Sequence, residues 1–277
     1  MKQGEMNWVS YDGLPLFAQK WEPDGEIKGV INLIHGHGDH SGRFAHWAKR
    51  FNSAGYALVS FDLRGHGRSG GKRGHCPSFD HFADDITIML QKSEELFPKI
   101  KPFLYGHSLG GIILLYFLIQ RQPEVKGAIV TSPALRSKVQ EQKAKVAMTL
   151  LLGSILPTLT IPTALEIDAL SRDESVLNKY INDPLVHEKI SLQLGKRTIG
   201  AIDFIFKNAA MINLPLLLLH GSDDRICYAR GSEELASLID KNCSFKLFEG
   251  CYHELHNEPE KDDVFNFLIG WINSQNG

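Results

Sequence analysis

Cysteine is scarce in this chain: Cys76, Cys227, Cys243 and Cys251 are the four among 277 residues, and no two form a C-x-x-C pair. A disulfide-stapled scaffold and a zinc ribbon are thereby excluded, and reduced thiols in a cytoplasmic setting are expected. Excess charge is lacking too. Thirty basic residues face 32 acidic ones, a net charge of −2, so no overall field exists to grip a phosphate backbone, and nucleic acid is not expected as a partner. Met1 to Asn7 hold neither an apolar run nor a small-residue cleavage site, so export by a cleaved signal is not expected. Val146 to Leu165 carries no charge over a length that could span a bilayer, yet Gly153, Pro157, Pro162 and four threonines interrupt it. That stretch reads as soluble or surface-lying. Internal repeats and low-complexity tracts are also missing.

What is present is a globular composition, 43% hydrophobic and 22% charged, which supports a sizeable core. At about 150 residues per domain the length fits one domain with an insertion as well as two domains. A hairpin around Asp12-Gly13, with strands Val9 to Tyr11 and Leu14 to Trp21, opens an alternation of strands and helices. Strands are expected at Gly29 to Ile34, Tyr56 to Phe61, Pro102 to Tyr105, Gly127 to Thr131, Leu214 to His220 and Phe245 to Phe248. Phe79, Phe82, Ile86, Met89 and Leu90 keep helical spacing after a Ser78 cap, and Ile112 to Ile119 is apolar on every face, as a buried central helix requires. Such alternation predicts an α/β fold with a mostly parallel sheet flanked by helices. The rhythm lapses after Thr131 for about eighty residues of helical pattern broken by prolines, read as an inserted helical cap. The expected division is therefore a core of residues 1–133 and 208–277 and a cap of residues 134–207.

Gly106-His107-Ser108-Leu109-Gly110 fits G-x-S-x-G between a strand and a helix, the context of a nucleophile elbow. Side chains flanking the serine would collide in so sharp a turn, so glycines belong there, and Ser108 projects its hydroxyl into a cleft. The amide of Leu109 then opens a helix and can donate to an oxyanion. A serine hydroxyl needs a base and a carboxylate to orient that base, arriving in the order serine, acid, histidine. Asp223 or Asp224, just past the strand ending at His220, supplies the acid, and His253, after the last strand, supplies the base. The loop His35-Gly36-His37-Gly38 follows an earlier strand and offers the amide of His37 as second oxyanion donor, with no catalytic role for His35. Asp62 to Ser69 is a glycine-rich turn without the P-loop lysine pattern and is read as structural.

These blocks together resemble the α/β-hydrolase fold and, within it, the monoacylglycerol lipase family of serine hydrolases. The resemblance is carried by His35 to Arg43, Asp62 to Ser69, Gly106 to Gly111, Gly221 to Cys227 and Glu249 to His253, and by Leu170-Ser171-Arg172 and Asn182 to Leu185 in the insertion. It implies Asp224 rather than Asp223 as the orienting acid. It also implies a glycerol-binding pocket of Asp39, Arg43 and His256, with Tyr180 nearby, a lipid ester as substrate and no cofactor. Cys227 matches a family thiol beside the site. His37 departs from the small residue usual in the family, a departure that bears on glycerol preference and not on hydrolysis.

Three rivals compete with this reading. Lysophospholipase or broad short-chain carboxylesterase activity shares the chemistry and differs in the pocket. His35-Gly36-His37-Gly38-Asp39-His40 also fits H-x-H-x-D-H, the ligand spacing of dinuclear zinc hydrolases, but leaves the elbow, the late acid and the late histidine unexplained. A non-catalytic binding protein on the same fold would be expected to lack part of the set that is complete here. Finally, Lys138, Lys143 and Lys145 precede the apolar Val146, Met148, Leu150 to Leu152, Ile155 and Leu156, a pairing suited to peripheral membrane contact or to roofing an acyl tunnel.

Overall fold

The computed structural model describes residues 1–239 and 241–275. Strands β1 (Lys2–Val9) and β2 (Pro15–Glu22) form the opening hairpin, followed by β3 (Gly29–Ile34), α1 (Ala45–Ser53), β4 (Tyr56–Phe61), α2 (Phe79–Leu96), β5 (Phe103–His107), α3 (Leu109–Arg121) and β6 (Gly127–Thr131). A long excursion then carries α4 (Lys138–Glu141), α5 (Lys143–Ile155), β7 (Thr160–Pro162), α6 (Glu174–Ile181), β8 (Lys189–Ser191) and α7 (Leu192–Asn208). The chain returns as β9 (Leu216–Gly221), α8 (Arg230–Leu238), β10 (Cys243–Phe248) and α9 (Lys261–Ser274). Eight strands make one sheet in the order β1-β2-β4-β3-β5-β6-β9-β10. From β4 to β10 every pairing is parallel, and only the β1-β2 and β2-β4 pairings are antiparallel.

The apolar runs in β3, β4 and β9 arise because the sheet is covered on both faces, so every residue of these strands is buried. The period of two still decides the direction of each side chain. Val30 and Ile34 join α2, α3 and α8 on one face, whereas Ile31 and Leu33 join Phe44 just before α1, Trp47 and Phe51 of α1, and Val264, Phe265 and Leu268 of α9, on the other. Helix α3 has ten buried residues of thirteen because α7, from the excursion, packs across it. That packing explains its all-round apolar sequence and places its N-terminus at the sheet centre, where strand ends converge.

Two expectations are corrected. The first hairpin strand begins at Lys2 and not at Val9, because β1 is an edge strand whose outer face is polar and which buries only Trp8, so its sequence lacks an apolar signature. The excursion is also not wholly helical. Its strands β7 and β8 pair antiparallel from Thr160 against Ser191 to Pro162 against Lys189, and three-residue strands are too short to register as an alternation. Among the described residues no helix is long and apolar enough to cross a membrane.

The excursion is fastened to the sheet's loops. Asp183 meets His40 at 3.0 Å, the amide of His187 donates to the Gly38 carbonyl, and the amide of Ser191 donates to the Gly74 carbonyl. On the far side the amide of Glu254 donates to the Leu170 carbonyl, and Arg172 bonds Glu258 through its backbone amide and its Nε at 2.7 Å each.

Candidate active site

Ser108 sits between β5 and α3 at φ 55° and ψ −117°, a conformation that non-glycine residues rarely adopt and that costs on the order of 1–3 kcal/mol. The strain persists because the surroundings leave no alternative. A Cβ on Gly106 would stand 2.5 Å from the Gly110 carbonyl oxygen, and one on Gly110 would stand 2.2 Å from that of Ile34, so the strand can turn into the helix only with glycine at both places. The Ser108 carbonyl already accepts from the Ile112 amide, starting the helical ladder, which fixes the serine backbone and aims its hydroxyl away from the sheet.

The loops after β9 and β10 bring two further side chains to that hydroxyl. His253 Nε2 lies 3.0 Å from Ser108 Oγ, and His253 Nδ1 lies 2.7 Å from Asp224 Oδ2. Asp224 is held in place from every side: its Oδ1 accepts the amides of Ile226 and Cys227 at 2.9 Å each, and its Oδ2 also faces His220 Nε2 at 3.2 Å. His220 Nε2 is 2.8 Å from the Cys227 carbonyl as well, so two acceptors face that nitrogen and it donates to them, while Nδ1 meets Ser232 Oγ at 2.7 Å. Asp223 instead accepts from Ser222 Oγ and is exposed. Burial opposes ionisation of Asp224, but the His253 charge and the bonds from His220 and His253 outweigh it and hold the carboxyl well below its usual range. Burial also opposes charge on His253, and the Asp224 carboxylate beside it prevails, raising this histidine above its ordinary value.

The loop after β3 passes directly over the serine, since a Cβ on Gly36 would lie 3.2 Å from Ser108 Cβ. The His37 ring turns towards the excursion: its Nε2 is 3.1 Å from the Lys189 carbonyl, and it packs edge-on against His66 and His187. Burial pushes this imidazole down to about 3, so it is neutral. The H-x-H-x-D-H segment does not converge. His35 places Nδ1 on the Gly36 carbonyl and accepts the Leu63 amide at Nε2, and His40 accepts the Gly42 amide and faces Asp183. Among the described residues the one group spaced to hold a metal ion is Cys251, Glu258 and Glu260, and Arg172 already fills it.

A cavity of about 480 Å³ opens on Ser108 and His253, bounded by Leu109, Ala134, Leu165, Leu170, Ile190 and Ile226 along its apolar length. Its polar groups include a tight cluster. Arg43 meets Asp39 at 3.2 Å and Glu254 through two bonds of 2.8 Å, with the Tyr180 ring 4.9 Å from its guanidinium carbon. A neighbouring hollow beside Asp223, Tyr228 and Tyr252 shares Lys138, Glu166 and Arg225 with the cavity wall.

Residues 25–260 match the Hydrolase_4 family model, described as serine aminopeptidase, S33. The chain belongs to this family. An uncharacterized abhydrolase domain-containing protein of Dictyostelium discoideum is 35% identical to it over 98% of this chain, which spans only 29% of that relative's length. A monoacylglycerol lipase of Mycolicibacterium smegmatis is 32% identical over 98% of this chain and 97% of its own. The crystal structure of Paleococcus ferrophilus monoacylglycerol lipase superposes with a TM-score of 0.86 at 34% identity, covering 94% of this chain and 99% of that one. The α/β-hydrolase fold and a serine hydrolase of the S33 family follow from these matches.

Of the residues expected at the site of this S33 hydrolase, Ser108, Leu109, His37, Asp39, Arg43, Tyr180 and His253 border the cavity, and Asp224 stands behind His253. His256 does not reach it. That ring is stacked on Phe44 at 4.5 Å and lies 4.9 Å from His107, fully buried, because the short helical turn Leu255–Asn257 points it into the core. Burial and the adjacent His107 depress it far below its ordinary value, so it packs as a neutral aromatic ring. Cys227 is a buried thiol pushed upward by burial and by the Asp224 charge, which keeps it protonated. Two residues of the S33 hydrolase's site went unexpected, His220 and Glu254. Each owes its place to a partner distant in sequence or around a turn, and the only sequence signal was that one precedes the acidic pair and the other follows His253.

Proposed function

We propose that this chain is a carboxylic ester hydrolase that cleaves monoacylglycerols to a fatty acid and glycerol, with Ser108 as nucleophile, His253 as base and Asp224 as the carboxylate that orients it. The observation that carries the reading is the continuous Ser108–His253–Asp224 hydrogen-bonded chain opening onto a mainly apolar cavity with a polar cluster of Asp39, Arg43 and Tyr180. His253 Nε2 takes the Ser108 proton as Oγ bonds to the ester carbonyl carbon, and the amides of Leu109 and His37 receive the oxyanion. The proton then passes to the glycerol oxygen, which leaves. Water, deprotonated by His253, attacks the acyl carbonyl carbon, and His253 returns that proton to Ser108 Oγ as the acyl–Oγ bond breaks and the fatty acid leaves. A half-buried, neutral His37 suits a backbone donor, since its ring is turned towards the Lys189 carbonyl.

Residues 134–207 are proposed to act as a cap that roofs the acyl chain and meets a lipid surface. Helix α5 rests on the start of α7 at Gly153, where a Cβ would lie 2.7 Å from the Leu192 carbonyl, and turns Met148, Leu151 and Ile155 outward beside Lys143 and Lys145. Leu151 and Ile155 are each 64% exposed. An apolar ridge flanked by lysines suits an interface carrying anionic lipid, from which a poorly soluble ester can enter. The deciding experiment is a matched panel of monoacylglycerols, lysophospholipids, diacylglycerols and short esters. Highest kcat/KM on monoacylglycerol is expected, and highest kcat/KM on any other class would overturn the substrate assignment.

A further inference from the structure

Glu254 follows His253 directly, is 2% exposed, and borders the cavity with Asp39 and Arg43. Both of its oxygens are engaged by Arg43, and Asn257 Nδ2 donates to Oε2 at 2.6 Å. Burial disfavours its charge, but the Arg43 guanidinium overrides that and holds the carboxyl well below its usual range, while Asp39 and Glu254 together drive Arg43 upward. Arg43 and Glu254 are therefore both charged. Arg43 has five N–H donors, and three bonds to carboxylates plus the Tyr180 ring over one face leave it little to offer as a free cation. One guanidinium against two carboxylates leaves this end of the cavity with one excess negative charge. Elsewhere on the wall, Lys138 and Arg225 are paired with Glu166 and Asp168 at 3.1 Å each, and Lys145 is exposed on α5.

We propose that Glu254 is a specificity-determining residue, and that through it the polar end of the cavity admits an uncharged polyol head group and rejects an anionic one. This rests on the single-chain ester reading above. The hydroxyls of a glycerol head can donate to carboxylate oxygens and accept the remaining Arg43 protons. A glycerophosphate head brings oxygens that only accept, together with negative charge, into a partly desolvated pocket that already holds an unbalanced carboxylate. Repulsion between like charges a few ångströms apart in such a medium is worth roughly a hundredfold or more in relative kcat/KM.

The test compares 1-oleoylglycerol with 1-oleoyl lysophosphatidate, presented to the full chain in the same uncharged detergent at fixed ionic strength. The two substrates share the acyl chain, Ser108 and His253, so any change in base strength cancels in their ratio. Wild type is expected to favour the neutral ester by about a hundredfold or more, and Glu254→Gln, which keeps the shape and removes the charge, to shrink that ratio at least tenfold. Asp39→Asn, which removes the other negative charge, is expected to shift the ratio in the same direction. A wild-type ratio near one overturns the proposal, as does a wild-type-like ratio in a folded Glu254→Gln chain. Should Glu254→Gln fail to fold, the Asp39→Asn ratio and the wild-type ratio decide by the same criteria. Turnover of short esters with neither oleoyl substrate hydrolysed is a different failure, that of the monoacylglycerol reading itself.

Discussion

Replacing Asp224 with asparagine isolates the part of the site that the hydrogen-bond geometry defines most tightly. The substitution is isosteric, and the Ile226 and Cys227 amides, which both donate to one carboxylate oxygen, will hold the side-chain carbonyl of the asparagine in that position. The amide nitrogen then falls where Asp224 Oδ2 now meets His253 Nδ1 at 2.7 Å. An N–H facing Nδ1 forces that nitrogen to accept, so the imidazole proton moves to Nε2, the atom 3.0 Å from Ser108 Oγ that must be free to take the serine proton. The loss is one of tautomer, and comparable serine hydrolase sites lose about 10⁴-fold in kcat from that cause. We expect kcat for a monoacylglycerol or a chromogenic short ester to fall by roughly 10³ to 10⁴, with KM little changed and folding retained. The acid limb of the pH profile reports the same interaction. Activity requires neutral His253, whose pKa is raised above 6.5 with Asp224 as the leading raising influence. In wild type the rate therefore falls as pH drops through a value above 6.5, and loss of the carboxylate moves the limb of the residual activity towards lower pH. A folded Asp224→Asn chain with kcat within tenfold of wild type would refute this reasoning.

Other perturbations reach different parts of the account. Gly110→Ala puts a Cβ 2.2 Å from the Ile34 carbonyl and 2.4 Å from that of His35, so denaturant unfolding is expected to show a loss of about 1–3 kcal/mol, and a loss under about 0.5 kcal/mol would contradict the close approach. Arg172→Ala leaves the fully buried Glu258 carboxylate without its cation; because Arg172 is itself one-third exposed, the expected cost is about 2 kcal/mol, read as a fall in Tm, and an unchanged Tm would show that the clamp contributes nothing. Leu151→Ser combined with Ile155→Ser is expected to reduce sedimentation with anionic liposomes while leaving short-ester turnover intact, whereas unchanged sedimentation would rule out lipid contact through α5.

Ser108, His253 and the acidic pair were legible in the sequence because each is tied to a local rule: a serine between glycines at a strand-to-helix junction, an acid after one late strand, a histidine after the next. Spacing alone left Asp223 and Asp224 equivalent, since which carboxylate faces inward depends on the turn, with Ile226 and Cys227 donating to one of them. The parallel strands were legible because full burial writes continuous apolar runs, as in Leu216 to Leu219, while the solvent-facing edge strand β1 writes almost none. His256 and Glu254 show the opposite limit. They lie two residues apart in one loop, and the turn sends the histidine under Phe44 and the glutamate onto Arg43, 211 residues away in sequence. Pocket membership of that kind is fixed by tertiary direction, which residue type does not encode.

The central claim is that the Ser108 hydroxyl is the attacking group, and covalent labelling tests it most directly. The full chain is treated with an alkyl fluorophosphonate, and adduct stoichiometry and position are read by intact-mass and peptide mass spectrometry. A single adduct on Ser108 is expected, with loss of ester hydrolysis in proportion to its formation, and a folded Ser108→Ala chain that takes no label and retains at most about a thousandth of the turnover. An adduct on another residue that tracks the loss of activity, or substantial turnover by Ser108→Ala, would contradict it.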